Sequence, residues 1–124
     1  MTTLNSAAPT FVVSDIGATM RWYEKHLGFE GDPFPAAEPF VFAILRRDTV
    51  EIMLMRIEGY QKPDLSAMRP AGLWDTYVRT SGLAELYESL RESVTVIKPL
   101  STQPYGLSEF WIKDPNGYIL AFSE

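Results

Sequence analysis

One histidine and no cysteine limit the chemistry open to this chain. A single His26 excludes two-histidine metal motifs and His-x-x-Glu pairs, and the missing thiols exclude cysteine nucleophiles and Cys-based zinc sites. His26 lies in "EKHLGF", near the end of a helical segment, where an imidazole favours the helix dipole. No strand–elbow–serine motif accompanies it, so a serine nucleophile with His26 as base has no sequence support. Glycine-rich phosphate loops are absent as well. What remains are carboxylates set among aromatic and thioether side chains: Glu51 in "TVEIMLM", Asp75 in "LWDTYV" and Glu109 in "SEFWIK".

The bulk composition sets wider limits. The 124 residues fit one domain or two small halves, with no staple needed for stability. The formal net charge of −5 argues against nucleic-acid binding and weakly favours cationic ligands. No apolar run approaches the ~18 residues of a membrane span. "MTTLNSAAPT" lacks the basic and apolar regions of a signal peptide. A cytoplasmic location is the expectation, with no nucleic-acid or membrane partner.

The elements that must position these residues come in a repeating order. "PTFVVSD" reads as a strand, and "DIGATMRWYEKHLGF" as a helix capped by Asp15 and stopped at Gly28. A Pro/Gly-rich connection around a short strand follows, then two strands joined at Arg47-Asp48. After a linker with one helical turn, "LWDTYVRT" is a strand and "SGLAELYESLRES" a helix with Ser81 as its cap. "VTVIKPL", "GLSEFWIKD" and "GYILAFSE" complete the second half. Each half therefore reads βαβββ, with modules near 8–60 and 70–124. Placing Val13 on Val78 and Leu54 on Phe122 aligns the two copies. The fold class expected is α+β: two βαβββ modules forming curved mixed sheets around a cleft. In each module the helix covers one sheet face.

The last hairpin carries the sharpest local signal. Asp114-Pro115-Asn116-Gly117 suits a type I turn closed by a glycine bulge. That turn pairs Asp114 with Tyr118 and sets Trp111 opposite Ala121. A two-residue loop would instead set Phe110 opposite Ala121.

"VVSDIGATMRWYEKHLGFE", "LAELYESL" and "IKDPNGYILAF" together resemble the vicinal oxygen chelate superfamily, which includes glyoxalase I, extradiol dioxygenases and the fosfomycin- and bleomycin-resistance proteins. The resemblance runs over nearly the whole chain, in order, and is closest in type to the bleomycin-resistance proteins. It implies paired βαβββ modules, often dimeric, so a homodimer is expected. In the extradiol-dioxygenase pattern a tyrosine stands at Trp111 and a glutamate ligand at Ala121. The family's four metal positions fall on Ala8, Met53, Leu73 and Ala121, none of which binds a hard or borderline divalent ion. No metal and no other cofactor are expected.

Strand alternation then gives the residues facing the cleft: Trp111 with Glu109, Tyr77 with Asp75, and Met53 with Glu51 and Met55. Trp74 falls on the opposite face, beneath the helix. Tryptophan and tyrosine faces attract cations and flat rings, and methionines adapt to irregular shapes. The expected function is metal-free binding of a small cationic or aromatic molecule, with antibiotic sequestration of the bleomycin-resistance type implied by the resemblance. Two alternatives stand beside it. One is a glyoxalase- or dioxygenase-type enzyme in which Glu51 with Glu109 or Asp75 moves a proton. The other is an interaction module whose cleft is filled by its own side chains.

Overall fold

Asp15 starts the first helix by lending its carboxylate to the amide of Ala18 at 3.0 Å. In this computed structural model, which describes all residues from Met1 to Glu124, that helix (α1) spans Ile16–Leu27. It ends at Gly28, whose φ of 67° lies in the left-handed region where glycine meets no Cβ penalty. Ile16, Met20, Tyr23 and Leu27 recur at helical spacing and are buried. Each such side chain contributes roughly 1.5–3 kcal/mol of burial.

Strands β1 (Thr10–Val13), β2 (Glu30–Phe34), β3 (Phe42–Arg47) and β4 (Val50–Arg56) complete the first unit. Their order in the sheet is β1-β4-β3-β2, with β1 parallel to β4 and the other pairs antiparallel. The second unit holds β5 (Thr76–Arg79), α2 (Leu83–Leu90), β6 (Thr95–Thr102), β7 (Ser108–Lys113) and β8 (Ile119–Ser123). Its sheet runs β5-β8-β7-β6, again with one parallel pair. The chain divides into compact units at Met1–Tyr60 and Gln61–Glu124, with a single 3-10 turn at Leu65–Met68 between β4 and β5. The expected α+β fold of two βαβββ modules with mixed sheets is what forms. No helix is long and apolar enough to cross a membrane.

In the second unit the face toward α2 is apolar. Phe110 stacks on Phe122 at 5.2 Å and meets Tyr87 of α2 at 5.1 Å. Leu83, Leu90, Ile112 and Leu120 are buried.

The repeat holds with a different register at the strand–helix junctions. Thr10 pairs with Met53 where Tyr77 pairs with Ala121, and the helices begin at Ile16 and Leu83. Phe11 therefore matches Val78, two residues from the alignment of Val13 on Val78. That alignment superposed Gly17 on Gly82, but Gly17 lies inside α1 whereas Gly82 precedes α2.

The cap of α2 also differs from expectation. Ser81 makes no capping bond, and Gly82 occupies the cap position with φ 78°. The side chain of Glu124 reaches back to the amides of Leu83 at 3.0 Å and Gly82 at 3.3 Å. A carboxylate on free amides at a helix N-terminus is favoured by both hydrogen bonding and the helix dipole. Glu124→Ala should lower the unfolding free energy in urea by about 1 kcal/mol. Ser81→Ala should stay within about 0.5 kcal/mol of the parent. The reverse ranking would return the capping role to Ser81.

Candidate functional site

The DPNG turn fixes the site because it fixes strand parity. Asp114 donates its amide to Tyr118 O at 2.8 Å, and Gly117, at φ 91°, donates to Asp114 O at 3.1 Å. Asp114 Oδ1 accepts from the amides of Asn116 and Tyr118 at 2.8 and 2.9 Å, which locks the turn from inside. Trp111 then stands opposite Ala121, and Glu109 opposite Ser123. On the other side of β8, Tyr77 of β5 also pairs with Ala121. Ala121 has no bulk, so Tyr77 and Trp111 approach over it, and with Ile119 they form one apolar cluster.

Glu109 lies at the centre of this face and is only 2% exposed. Its Oε2 accepts from the Tyr77 hydroxyl at 2.9 Å, and its Oε1 accepts from Trp111 Nε1 at 3.1 Å. Tyr105, in the β6–β7 loop, lies close enough to the same carboxylate for the two groups to influence each other. None of the chain's ion pairs includes Glu109. A buried carboxylate is therefore held by neutral aromatic donors and forms no ion pair with a cation of the chain.

Around it the aromatic rings form a continuous group. Trp74 meets Tyr77 at 5.1 Å and Trp111, edge to face, at 5.3 Å. Arg79 lies 5.8 Å from the Tyr77 ring centre, and Lys98 Nζ lies 4.1 Å from that of Trp111. Trp111 itself is 3% exposed, whereas Trp74 and Tyr105 are 42% and 59% exposed. The accessible walls are thus Trp74 and Tyr105, with Trp111 behind them. Trp74 is not core beneath α2, as alternation suggested. It precedes the first residue of β5, where alternation does not yet hold.

The remaining sequence candidates sit elsewhere. Asp75 accepts from the amide of Ile119 at 2.8 Å and pairs with the half-buried Lys62 at 3.3 Å. Lys62 Nζ also lies 5.4 Å from the Tyr118 ring centre. Asp75 thereby ties the start of the second unit to β8 instead of joining Glu109. Glu51, Met53 and Met55 share one face of β4 in the first unit. Glu51 accepts from Arg46 Nε at 2.8 Å, and Met55 is about half exposed. His26 lies half-buried against Trp22, with ring centres 5.1 Å apart.

The corrected register also moves one family position. Ala8 corresponds to Asp75, not to Leu73, because Thr10 and Tyr77 occupy matching places beside Met53 and Ala121. Beside Met53 and Ala121, the matching places on the two first strands are thus Ala8 and Asp75, and the Asp75 carboxylate pairs with Lys62. No three His, Asp or Glu side chains converge anywhere in the chain. A separate depression of about 530 Å³ in the first unit sets Arg21 and Arg56 against Asp15 and Glu38, with Phe40 as its one aromatic ring. It is polar and mixed in charge, unlike the aromatic face around Glu109.

A family model for the Glyoxalase/Bleomycin resistance protein/Dioxygenase superfamily matches residues 3–122. The chain belongs to that superfamily. Solved structures agree on the fold. TioX from Micromonospora sp. ML1 is 17% identical with a TM-score of 0.72, over 96% of this chain and 94% of that one. A glyoxalase-related enzyme from Clostridium phytofermentans is 19% identical with a TM-score of 0.76, over 99% and 96%. The bleomycin-binding protein from bleomycin-producing Streptomyces verticillus, in complex with copper(II)-bleomycin, is 21% identical with a TM-score of 0.70, over 98% and 97%. At these identities the likeness is one of fold. No curated protein matches the chain.

The Tyr105–Glu109 contact leaves a titration signature. The Glu109 carboxylate, helped by desolvation, pushes the Tyr105 phenol up from 10.0 to about 12. A raised pKa stabilises the fold below pH 10, and that contribution fades as pH climbs from 10 towards 12. Difference absorbance between the parent and Tyr105→Phe should place this phenol above its ordinary value. Glu109→Gln should bring it back down. An unshifted Tyr105 in the parent would mean the contact does not persist in solution.

Proposed function

We propose that the chain binds a small, planar, cationic molecule on the aromatic face around Glu109, without a metal and without a covalent step. The observation behind this reading is a buried carboxylate whose hydrogen-bond partners are neutral aromatic donors and which pairs with no cation of the chain. Such a group attracts a cation more strongly than one in water, because the surrounding dielectric is low. Trp74, Tyr77 and Tyr105 add π faces worth roughly 0.5–2 kcal/mol each to a cation placed over them. Trp111 backs the site, and the thioethers of Met53 and Met55 offer an adaptable apolar surface on their own sheet. The existence of a bleomycin-binding protein with this fold supports sequestration as the biological use, and resistance to a toxic compound as its purpose.

The acid–base alternative has less support, because Asp75 is engaged by Lys62 and Ile119 and Glu51 by Arg46. A homodimer in the cytoplasm is part of the same proposal. The row Phe34, Phe42 and Met55 across β2, β3 and β4 supplies apolar surface for it, with Phe34 65% exposed.

Proflavine, a planar cation, and acridone, its neutral counterpart, test the reading by quenching of tryptophan emission. Proflavine should bind more tightly than acridone, and added Zn²⁺ or Mn²⁺ should change neither affinity. Glu109→Gln should weaken proflavine about tenfold, through loss of the buried charge that attracts it, while leaving acridone unchanged. Trp74→Ala should weaken both. Equal affinity for the two probes, or binding that requires the metal, would contradict the proposal. Sedimentation equilibrium of the same samples should show twice the chain mass, and a monomer at all concentrations would remove the dimer.

A further inference from the structure

Trp111 has a face suited to a cation, and the chain already places one there. Lys98 Nζ sits 4.1 Å from the ring centre and donates to the carbonyl of Ala71 at 2.7 Å. It joins no ion pair. The pairing of β6 with β7 shifts register on both sides of Lys98, between Val96 and Lys98 and between Lys98 and Ser101. Such irregularities re-aim a side chain that regular alternation would leave elsewhere. The backbone at Ala71 and Gly72 lies directly on the indole: a Cβ at Gly72 would come 3.1 Å from Trp111 Cζ3, at a φ of 78° that disfavours any side chain. A turn closed by the Gly72 amide on Arg69 O, at 2.9 Å, holds this strap in shape.

We infer that Lys98 is a built-in competitor: its ammonium clamps the Arg69–Gly72 strap over Trp111, and a ligand reaches that ring only by bringing a cation that replaces it. This rests on the aromatic-cation reading above and adds a specificity determinant to it. A neutral flat molecule gains only the outer rings, Trp74 and Tyr105. A cation gains the inner ring as well, because it can take over the ammonium's place on the indole face. Ligand charge is then selected twice, by attraction to Glu109 and by competition with Lys98.

The test uses the full chain labelled with 5-fluorotryptophan, which gives one fluorine signal for each of its three tryptophans. The signal of Trp111 should be insensitive to exchange of H2O for D2O in the parent. It should become sensitive in Lys98→Met and remain insensitive in Lys98→Arg, which keeps the charge. Proflavine should bind Lys98→Met about tenfold more tightly than the parent, and acridone should gain more, because the inner ring opens to a neutral molecule only once the ammonium is gone. A Trp111 signal that stays shielded in Lys98→Met overturns the clamp, whatever the dye does. An exposed signal with unchanged or weaker proflavine affinity overturns the competition. An exposed signal in a protein that binds no planar cation in either form upholds the clamp and defeats the proposed function instead. Should Lys98→Met fail to fold, Lys98→Gln also removes the charge and is read in the same way.

Discussion

The second unit is organised around one buried negative charge. Glu109 is removed from water and satisfied by a phenol and an indole, neither of which cancels its charge. Burying a carboxylate costs several kcal/mol unless hydrogen bonds and charge compensate. A core that only needed stability would be better served by an apolar residue at this place. The two donors come from β5 and β7, so the carboxylate is held from two strands at once. It follows that the register of β5 against β8 and of β8 against β7 must be right before the site exists.

That dependence explains why the DPNG turn was so informative. A hairpin with one more or one fewer residue would turn every side chain of β7 to the other face. Trp111 and Glu109 would then point at α2, and Phe110 would leave its stack with Phe122. The turn residues and the apolar pattern therefore specify the same parity from two directions. Ala121 serves the same end by its smallness, since it lets Tyr77 and Trp111 come together across β8.

The sequence made the two-module order, α1 and its caps, and the face shared by Glu109, Trp111 and Tyr77 readable, because each depends on local periodicity or turn chemistry. Other features depend on tertiary placement and left no such trace. Trp74 lies just outside β5, so its direction is set by packing on Trp111 instead of by the pleat. Lys98 lies between two register shifts, where counting by twos fails. Tyr105 is in a loop. The cap of α2 is supplied by Glu124, forty-one residues from the amide of Leu83. The two-residue slip in the repeat arose because Gly17 and Gly82 look alike in sequence while occupying different places about their helices. That slip set Leu73 in the place that the strand pairing gives to Asp75, which is paired with Lys62.

The account depends on Glu109 being a real negative charge in the folded protein, free of any cation of the chain. Infrared difference spectra between the parent and Glu109→Gln, taken at neutral pH without ligand, measure this directly. The account predicts that the substitution removes an ionised-carboxylate band. Loss of a protonated carboxyl band instead would show that the site holds a neutral acid, and would contradict its role as the counter-charge for a cation.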